Sequence, residues 1–296
     1  MTLSDLYATE PTWLIGSIFI LSLLIGSFLN VVIHRLPIMM ERDWRKQAEE
    51  ILASEPTAHS PQPTAQYNLV VPRSACPSCG TQITARQNIP VISWLLLKGK
   101  CANCAAPISV RYPLVELGTA LLSAVVAWRF GFTAHMGAAL VMTWMLVALC
   151  MIDFDHQLLP DDMTLPLLWL GLLLSLFNGE VLAITPKDAL IGAIAGYLSL
   201  WLVFHAFKAI TGKEGMGYGD FKLLAALGAW LGWQQLPLII LLSACVGAVV
   251  GIGLIVIRGR DRNIPIPFGP YLAAAGWIAM LWGDRIVTTY LRTLQG

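Results

Sequence analysis

Two groups of residues in this chain have the types and spacing that chemistry requires. The first is a pair of acidic clusters, Ile152-Asp153-Phe-Asp155-His156-Gln-Leu-Leu-Pro160-Asp161-Asp162 and Gly215-Met-Gly217-Tyr-Gly219-Asp220-Phe-Lys222. Pro160 ends any helix that carries the first cluster, so its acids gather at a helix end. Three glycines in five residues precede Asp220 and allow close backbone approach and unusual dihedrals. They set Asp220 at the mouth of the next helix, an N-cap position that suits an acid. Two carboxylates a few ångströms apart cannot both ionise, so one proton is shared between them. Such a pair performs aspartic proteolysis: one carboxylate activates a water while its protonated partner polarises the peptide carbonyl. Spacing alone does not choose between Asp153 and Asp155 for the first carboxylate. Asp155, Asp161 and Asp162 also read as interfacial caps and loop charges.

The second group is Cys76-Pro-Ser-Cys79 and Cys101-Ala-Asn-Cys104, with 21 residues between the pairs. Each knuckle turns tightly enough to place two thiolates at adjacent corners of a tetrahedron. Two knuckles with one loop between them describe a zinc ribbon, the loop being one residue over the usual length of about 15–20. Cys76, Cys79, Cys101 and Cys104 fill all four corners, so the metal is expected to be structural. A polar segment this small has little core of its own and is expected to depend on zinc to fold. Cys150 and Cys245 stand alone in apolar runs and read as small buried hydrophobes.

The elements that position these groups follow from composition. The chain has 296 residues, 56% hydrophobic and 12% charged, with a mean hydropathy of +0.67. A soluble domain carries about 25% charged residues, so the solvent for most of this chain is lipid. The net charge of +1 gives no ground for nucleic-acid binding. The start, MTLSDLYATEPT, lacks a basic region and a small-residue cleavage site, so the first apolar run is expected to be a retained helix. Apolar runs predict an all-α polytopic membrane protein of about eight transmembrane helices, near 13–33, 114–131, 136–152, 163–178, 188–210, 221–234, 236–257 and 268–287. The predicted divisions are a first transmembrane helix (1–33), a polar segment with the ribbon (34–113) and seven membrane helices (114–296). Within the polar segment, residues 41–55 read as a short charged helix and 58–66 as a flexible linker. Between the knuckles, Ile89 to Leu97 is an apolar run suited to docking on a membrane or on the helices.

Lys and Arg concentrate in three breaks: 34–113, the stretch with Lys208, Lys213 and Lys222, and the stretch with Arg258, Arg260 and Arg262. With eight helices all three fall on one side, which is therefore cytoplasmic. The N-terminus, with Asp5 and Glu10, lies outside; Arg285 and Arg292 run weakly against this assignment. On this topology the third helix ends, and the sixth begins, at the cytoplasmic face. Asp153 and Asp220, 67 residues apart, then reach the same depth on the same side.

With these residues in view, Gly217-Tyr-Gly219-Asp220 fits the G-x-G-D motif of intramembrane aspartic proteases. The chain resembles the type 4 prepilin peptidases over nearly its full length. The resemblance rests on that motif, Asp153 with Pro160-Asp161, the four-cysteine ribbon, Gly26-Ser27-Phe28-Leu29-Asn30-Val31-Val32-Ile33-His34-Arg35-Leu36-Pro37, and Pro265-Ile-Pro267-Phe268-Gly269-Pro270. It implies that the catalytic pair is Asp153 and Asp220, which settles the choice against Asp155. It implies as substrates type IV prepilins and the pseudopilins of type II secretion, cut after a glycine at the cytoplasmic face of the bacterial inner membrane. It also implies methylation of the new N-terminal amine, typically of a phenylalanine, with S-adenosylmethionine. In the family the ribbon-bearing segment accompanies the methylating activity.

The groups that bind S-adenosylmethionine are not assigned by the sequence. Arg35 and Glu116, the latter in Arg111-Tyr-Pro-Leu-Val-Glu116, are candidate polar partners near the interface, or else members of a helix-end ion pair. The competing readings are a peptidase without methylation and a non-enzymatic transporter or scaffold with a zinc module. A transporter places acids near the bilayer midplane, whereas here they gather at helix ends.

Overall fold

The computed structural model describes residues 7, 9–52, 67–177, 179–213, 215–258 and 266–295. The linker at 58–66, Asp5, Asn178, Arg260, Arg262 and Pro265 lie outside them. The described chain is helical, with isolated bridges at Ala75–Gln82 and Lys100–Pro107. Its helices are α1 (Pro11–Leu52), α2 (Ile92–Leu96), α3 (Arg111–Phe130), α4 (Ala134–His156), α5 (Asp161–Ser175), α6 (Pro186–Thr211), α7 (Tyr218–Leu231), α8 (Leu236–Arg258) and α9 (Gly269–Gln295).

Apart from α2, these helices stand where the apolar runs predict them. Among the described residues, five helical stretches are long and apolar enough to cross a membrane: α1, α3, α4, α6 and Trp233–Leu254. The 15 residues of α5 and 14 of α7 rise only about 22 and 21 Å, short of the roughly 30 Å of a bilayer core. The main departure is α1. It does not stop near 33 but runs unbroken through Pro37 to Leu52, absorbing the expected charged helix. Proline removes one backbone donor, and the strong helix-forming sequence beyond it, with Arg45 on Glu41 at 2.6 Å one turn away, lets the helix continue.

Backbone packing divides the chain into two compact units, a ribbon unit (Ser17–Leu122) and a helical unit (Met1–Gly16 with Ser123–Gly296). Small residues set the close packing in the helical unit. Gly192 on α6 lies directly against Gly228 on α7, and a Cβ at Gly196 would stand 2.6 Å from the Leu224 carbonyl. Such contacts suit a lipid-embedded bundle, where backbone approach replaces the hydrophobic drive between helices. α5 joins through the Trp230 indole, which donates to the Leu167 carbonyl at 2.7 Å. α9 joins where Gly276 meets the Leu227 side chain. Flanked by α5, α6 and α9, α7 is buried over most of its length. A helix covered by protein need not match the bilayer thickness, which accounts for its shortness. Cys150, expected as a small buried hydrophobe, is half-buried, and Cys245, expected likewise, is exposed on its apolar helix.

Candidate functional site

In the helical unit, α4 ends at Gln157, whose left-handed backbone (φ 52°) sends its N–H back to the Asp153 carbonyl at 2.9 Å. Asp153 therefore sits in the last turn, and its side chain turns inward with 5% exposure. Asp155, two residues on, is exposed. The Asp153 Oδ2 accepts the Gly269 N–H at 3.0 Å, a buried bond from the start of α9. Gly269 is required there, because a Cβ would stand 2.7 Å from that same oxygen.

Asp220 lies in the first turn of α7, 6% exposed. The N-cap is Gly217 and not Asp220, which occupies the third helical position. From there its carboxylate accepts the Gly217 N–H, the reach-back that an acid at this position makes in a capping box. Gly219 earns its absence of side chain by packing on Leu159, since a Cβ would meet the Leu159 Cβ at 2.7 Å. Leu159 also touches the space over Gly269, so one side chain underlies the approach to both acids. Asp153 and Asp220 are close enough to repel one another. An aromatic cluster of Phe204, Tyr218 and Phe221, with ring centres 5.4–5.6 Å apart, holds the glycine turn against α6. Lys222 grips both Asp161 oxygens at 2.6 and 2.7 Å and ties the first turn of α7 to that of α5. Asp162 is exposed. Of the acids singled out in the sequence, the fold brings Asp153 and Asp220 together and leaves Asp155, Asp161 and Asp162 at the surface.

In the ribbon unit the four cysteine sulfurs lie within 4.8 Å of one another. The Cys76 and Cys104 sulfurs are 3.8 Å apart. Zinc–sulfur bonds of about 2.3 Å put tetrahedral corners about 3.8 Å apart, so the donor set fits that ion and none of its members is in a disulfide. The two knuckles repeat one another. The Gly80 N–H bonds the Cys76 carbonyl at 2.9 Å, and the Ala105 N–H bonds the Cys101 carbonyl at 3.0 Å. Both residues after the second cysteine are left-handed, Gly80 at φ 71° and Ala105 at φ 58°. The Thr81 hydroxyl and amide, with Asn103, push the Cys79 thiol down to about 6. The amides of Cys104 and Asn103 lower Cys101. The Ala106 amide also lowers Cys104, but burial and the three crowding thiols outweigh it and push it up to about 11. A divalent cation bound by the four thiols would displace their protons.

The motif around Gly26 finds its reason in the same unit. A Cβ at Gly26 would stand 2.7 Å from the Glu116 Cα, so α1 and α3 cross there in contact. One turn along, Asn30 donates to the Tyr112 carbonyl at 3.1 Å. Arg35 turns to backbone carbonyls, and Glu116 to a backbone N–H and a hydroxyl. Arg35, 7% exposed, donates to the carbonyls of Asn68 at 2.9 Å and Pro72 at 2.6 Å. Glu116, 8% exposed, accepts the Val91 N–H at 2.7 Å and the Ser27 hydroxyl. Sequence reasoning picked out Gly269 only within a motif and gave Val91 no role, since their partners lie 116 and 25 residues away.

The sequence profile described as the Bacterial Peptidase A24 N-terminal domain matches residues 20–130, and that of the Type IV leader peptidase family matches residues 140–252. A Prepilin leader peptidase/N-methyltransferase of Pseudomonas aeruginosa is 58% identical over 292 residues, covering 99% of this chain and 98% of its own. One of Aeromonas salmonicida is 60% identical over 295 residues, covering 99% and 100%. One of Dichelobacter nodosus is 51% identical over 288 residues, 97% of each chain. No solved structure matches the chain. With two family profiles on successive parts of the sequence and such identity across its length, the chain belongs to the type IV leader peptidase family, among the prepilin leader peptidase/N-methyltransferases.

Proposed function

We propose that this protein removes the basic leader from type IV prepilins and from the pseudopilins of type II secretion, and then methylates the new N-terminal amine with S-adenosylmethionine. The observation that carries the reading is the burial of Asp153 and Asp220 beside one another at helix ends. In this reading the pair holds one proton. The ionised carboxylate takes a proton from water, and the protonated one donates to the carbonyl oxygen of the scissile bond. Gly269 keeps the Asp153 carboxylate turned toward the site, and Gly217 does the same for Asp220.

The chain would cross the bacterial inner membrane eight times, its N-terminus periplasmic and its basic loops cytoplasmic. The short helices α5 and α7 and the polar-ended α9 complete the eight. Asp153 and Asp220 then face the cytoplasmic side, where a prepilin entering laterally with its own apolar helix presents its cleavage site. Cys76, Cys79, Cys101 and Cys104 would hold a structural zinc ion, which supplies no reactive position because all four corners are thiolate. The ribbon unit would carry the methylating activity, with S-adenosylmethionine supplying an electrophilic methyl group when bound. This chain's own task there is to hold a neutral amine in line with that group.

The test is a synthetic prepilin with a basic leader, a Gly-Phe junction and an apolar helix, given to the detergent-solubilised protein. Wild type cleaves it, and Asp153→Asn and Asp220→Asn do not. Cleavage by Asp153→Asn would remove Asp153 from the pair, and an inert wild type would end the peptidase reading.

A further inference from the structure

Glu116 has surroundings that a helix-end charge does not need. It is a carboxylate with 8% exposure on an apolar helix, and no cation is bonded to it among the described contacts. A carboxylate in such a place is costly unless it is used. One of its bonds comes from a residue under strain. Val91 holds φ 61° and ψ −50°, a region that a β-branched side chain avoids. Strain of this kind costs on the order of 1–3 kcal/mol and persists only where the surroundings fix it. Its effect is to aim the Val91 N–H at the Glu116 Oε2 at 2.7 Å. From the other side the Ser27 hydroxyl bonds the same carboxylate. Gly26 permits this, because any side chain there would push α1 off the Glu116 backbone. Two neutral donors thus fix the carboxylate while using two of its roughly four acceptor positions.

We infer that Glu116 receives the free α-ammonium of the cleaved substrate and takes its proton for methyl transfer. The inference rests on the proposed methyltransferase function of the ribbon unit. An α-ammonium is mostly protonated near neutral pH and has no lone pair to give. In the step, one N–H proton passes to Glu116. The freed lone pair forms the N–CH3 bond as the C–S bond of the sulfonium donor breaks, its electron pair going to sulfur. The product is a secondary ammonium ion and a thioether, and Glu116 later returns its proton to water. Ammonium recognition also explains why the partners of Glu116 are an amide and a hydroxyl: an arginine or lysine there would occupy the place of the substrate.

The test is Glu116→Gln in the full-length protein. Glutamine keeps an oxygen to accept the Val91 N–H and so retains the local structure, but it neither attracts an ammonium ion nor takes a proton. Two probes are used, a pre-cut peptide with a free N-terminal phenylalanine and its N-acetylated form, with binding measured without methyl donor. Wild type is expected to bind the free amine at least about 10-fold tighter, and Glu116→Gln to bind both alike. Methylation by Glu116→Gln is expected to fall by about 100-fold or more, while cleavage of intact prepilin stays within about twofold. Retained methylation or retained preference for the free amine overturns the assignment. So does loss of cleavage and of both bindings together, which would make Glu116 structural. A wild type that cleaves and never methylates instead removes the underlying function.

Discussion

The two units reach precision by opposite means. The helical unit positions Asp153 and Asp220 with regular elements: a helix end, a helix start and two glycine amides, held by backbones packed against one another through Gly192, Gly196 and Gly228. Among its described residues the ribbon unit has little regular structure between α1 and α3, and it uses positive-φ residues at Val91, Lys98, Gly99 and Ala105 and four converging thiols. The first arrangement is stable wherever the helices pack. The second holds residues at positive φ around four sulfurs that lie within 4.8 Å of one another. On the proposed assignment, peptide hydrolysis draws on the bundle and methyl transfer on the four-thiol loop, so the two activities should be separable.

The largest effect that sharpens this contrast is on cleavage. Asp153→Asn and Asp220→Asn should each lower it by about 10³-fold or more, read by mobility of the processed prepilin, with zinc content unchanged. Next, Cys76→Ser removes one corner of the thiol cluster. Groups that only support a metal ligand already cost 10–100-fold, so loss of a ligand should exceed that in zinc affinity and lower methylation far more than cleavage. Equal loss of both activities would break the two-region account. Gly26→Ala forces a Cβ to within 2.7 Å of the Glu116 backbone. Overpacking of this sort costs about 1–3 kcal/mol, and methylation should suffer before cleavage as α1 and α3 separate. The smallest effect is a gain. Ala105 holds φ 58°, the conformation that Gly80 holds at the matching place in the first knuckle. Ala105→Gly should stabilise the ribbon by about 1 kcal/mol, seen as slower zinc loss to a chelator.

What the sequence made legible follows the same division. The four cysteines announce their own geometry because both gaps are local, and the sulfurs do converge. Asp220 is marked by its glycines, and the helices stand near their apolar runs. Asp153 was separable from Asp155 only through resemblance, because the choice depends on which side of a helix end faces α9, and that contact spans 116 residues. The N-cap assignment was off by three positions, since Gly217 caps the helix and Asp220 reaches back to it. The length of α1 was hidden because Pro37 reads as a stop, yet one missing donor does not outweigh the helix-forming sequence after it. Glu116 and Arg35 were visible as polar residues near the interface. Their partners were not, because Arg35 bonds two backbone carbonyls and Glu116 a backbone N–H beside the Ser27 hydroxyl, and backbone atoms carry no signature in residue type.

The most direct test of the central claim is methylation of a pre-cut peptide by Asp220→Asn, which removes one carboxylate of the proposed pair. The account predicts methyl transfer at the wild-type rate alongside abolished cleavage of intact prepilin. Loss of methylation in that variant, with zinc retained and the protein folded, would contradict it and place both reactions at one site.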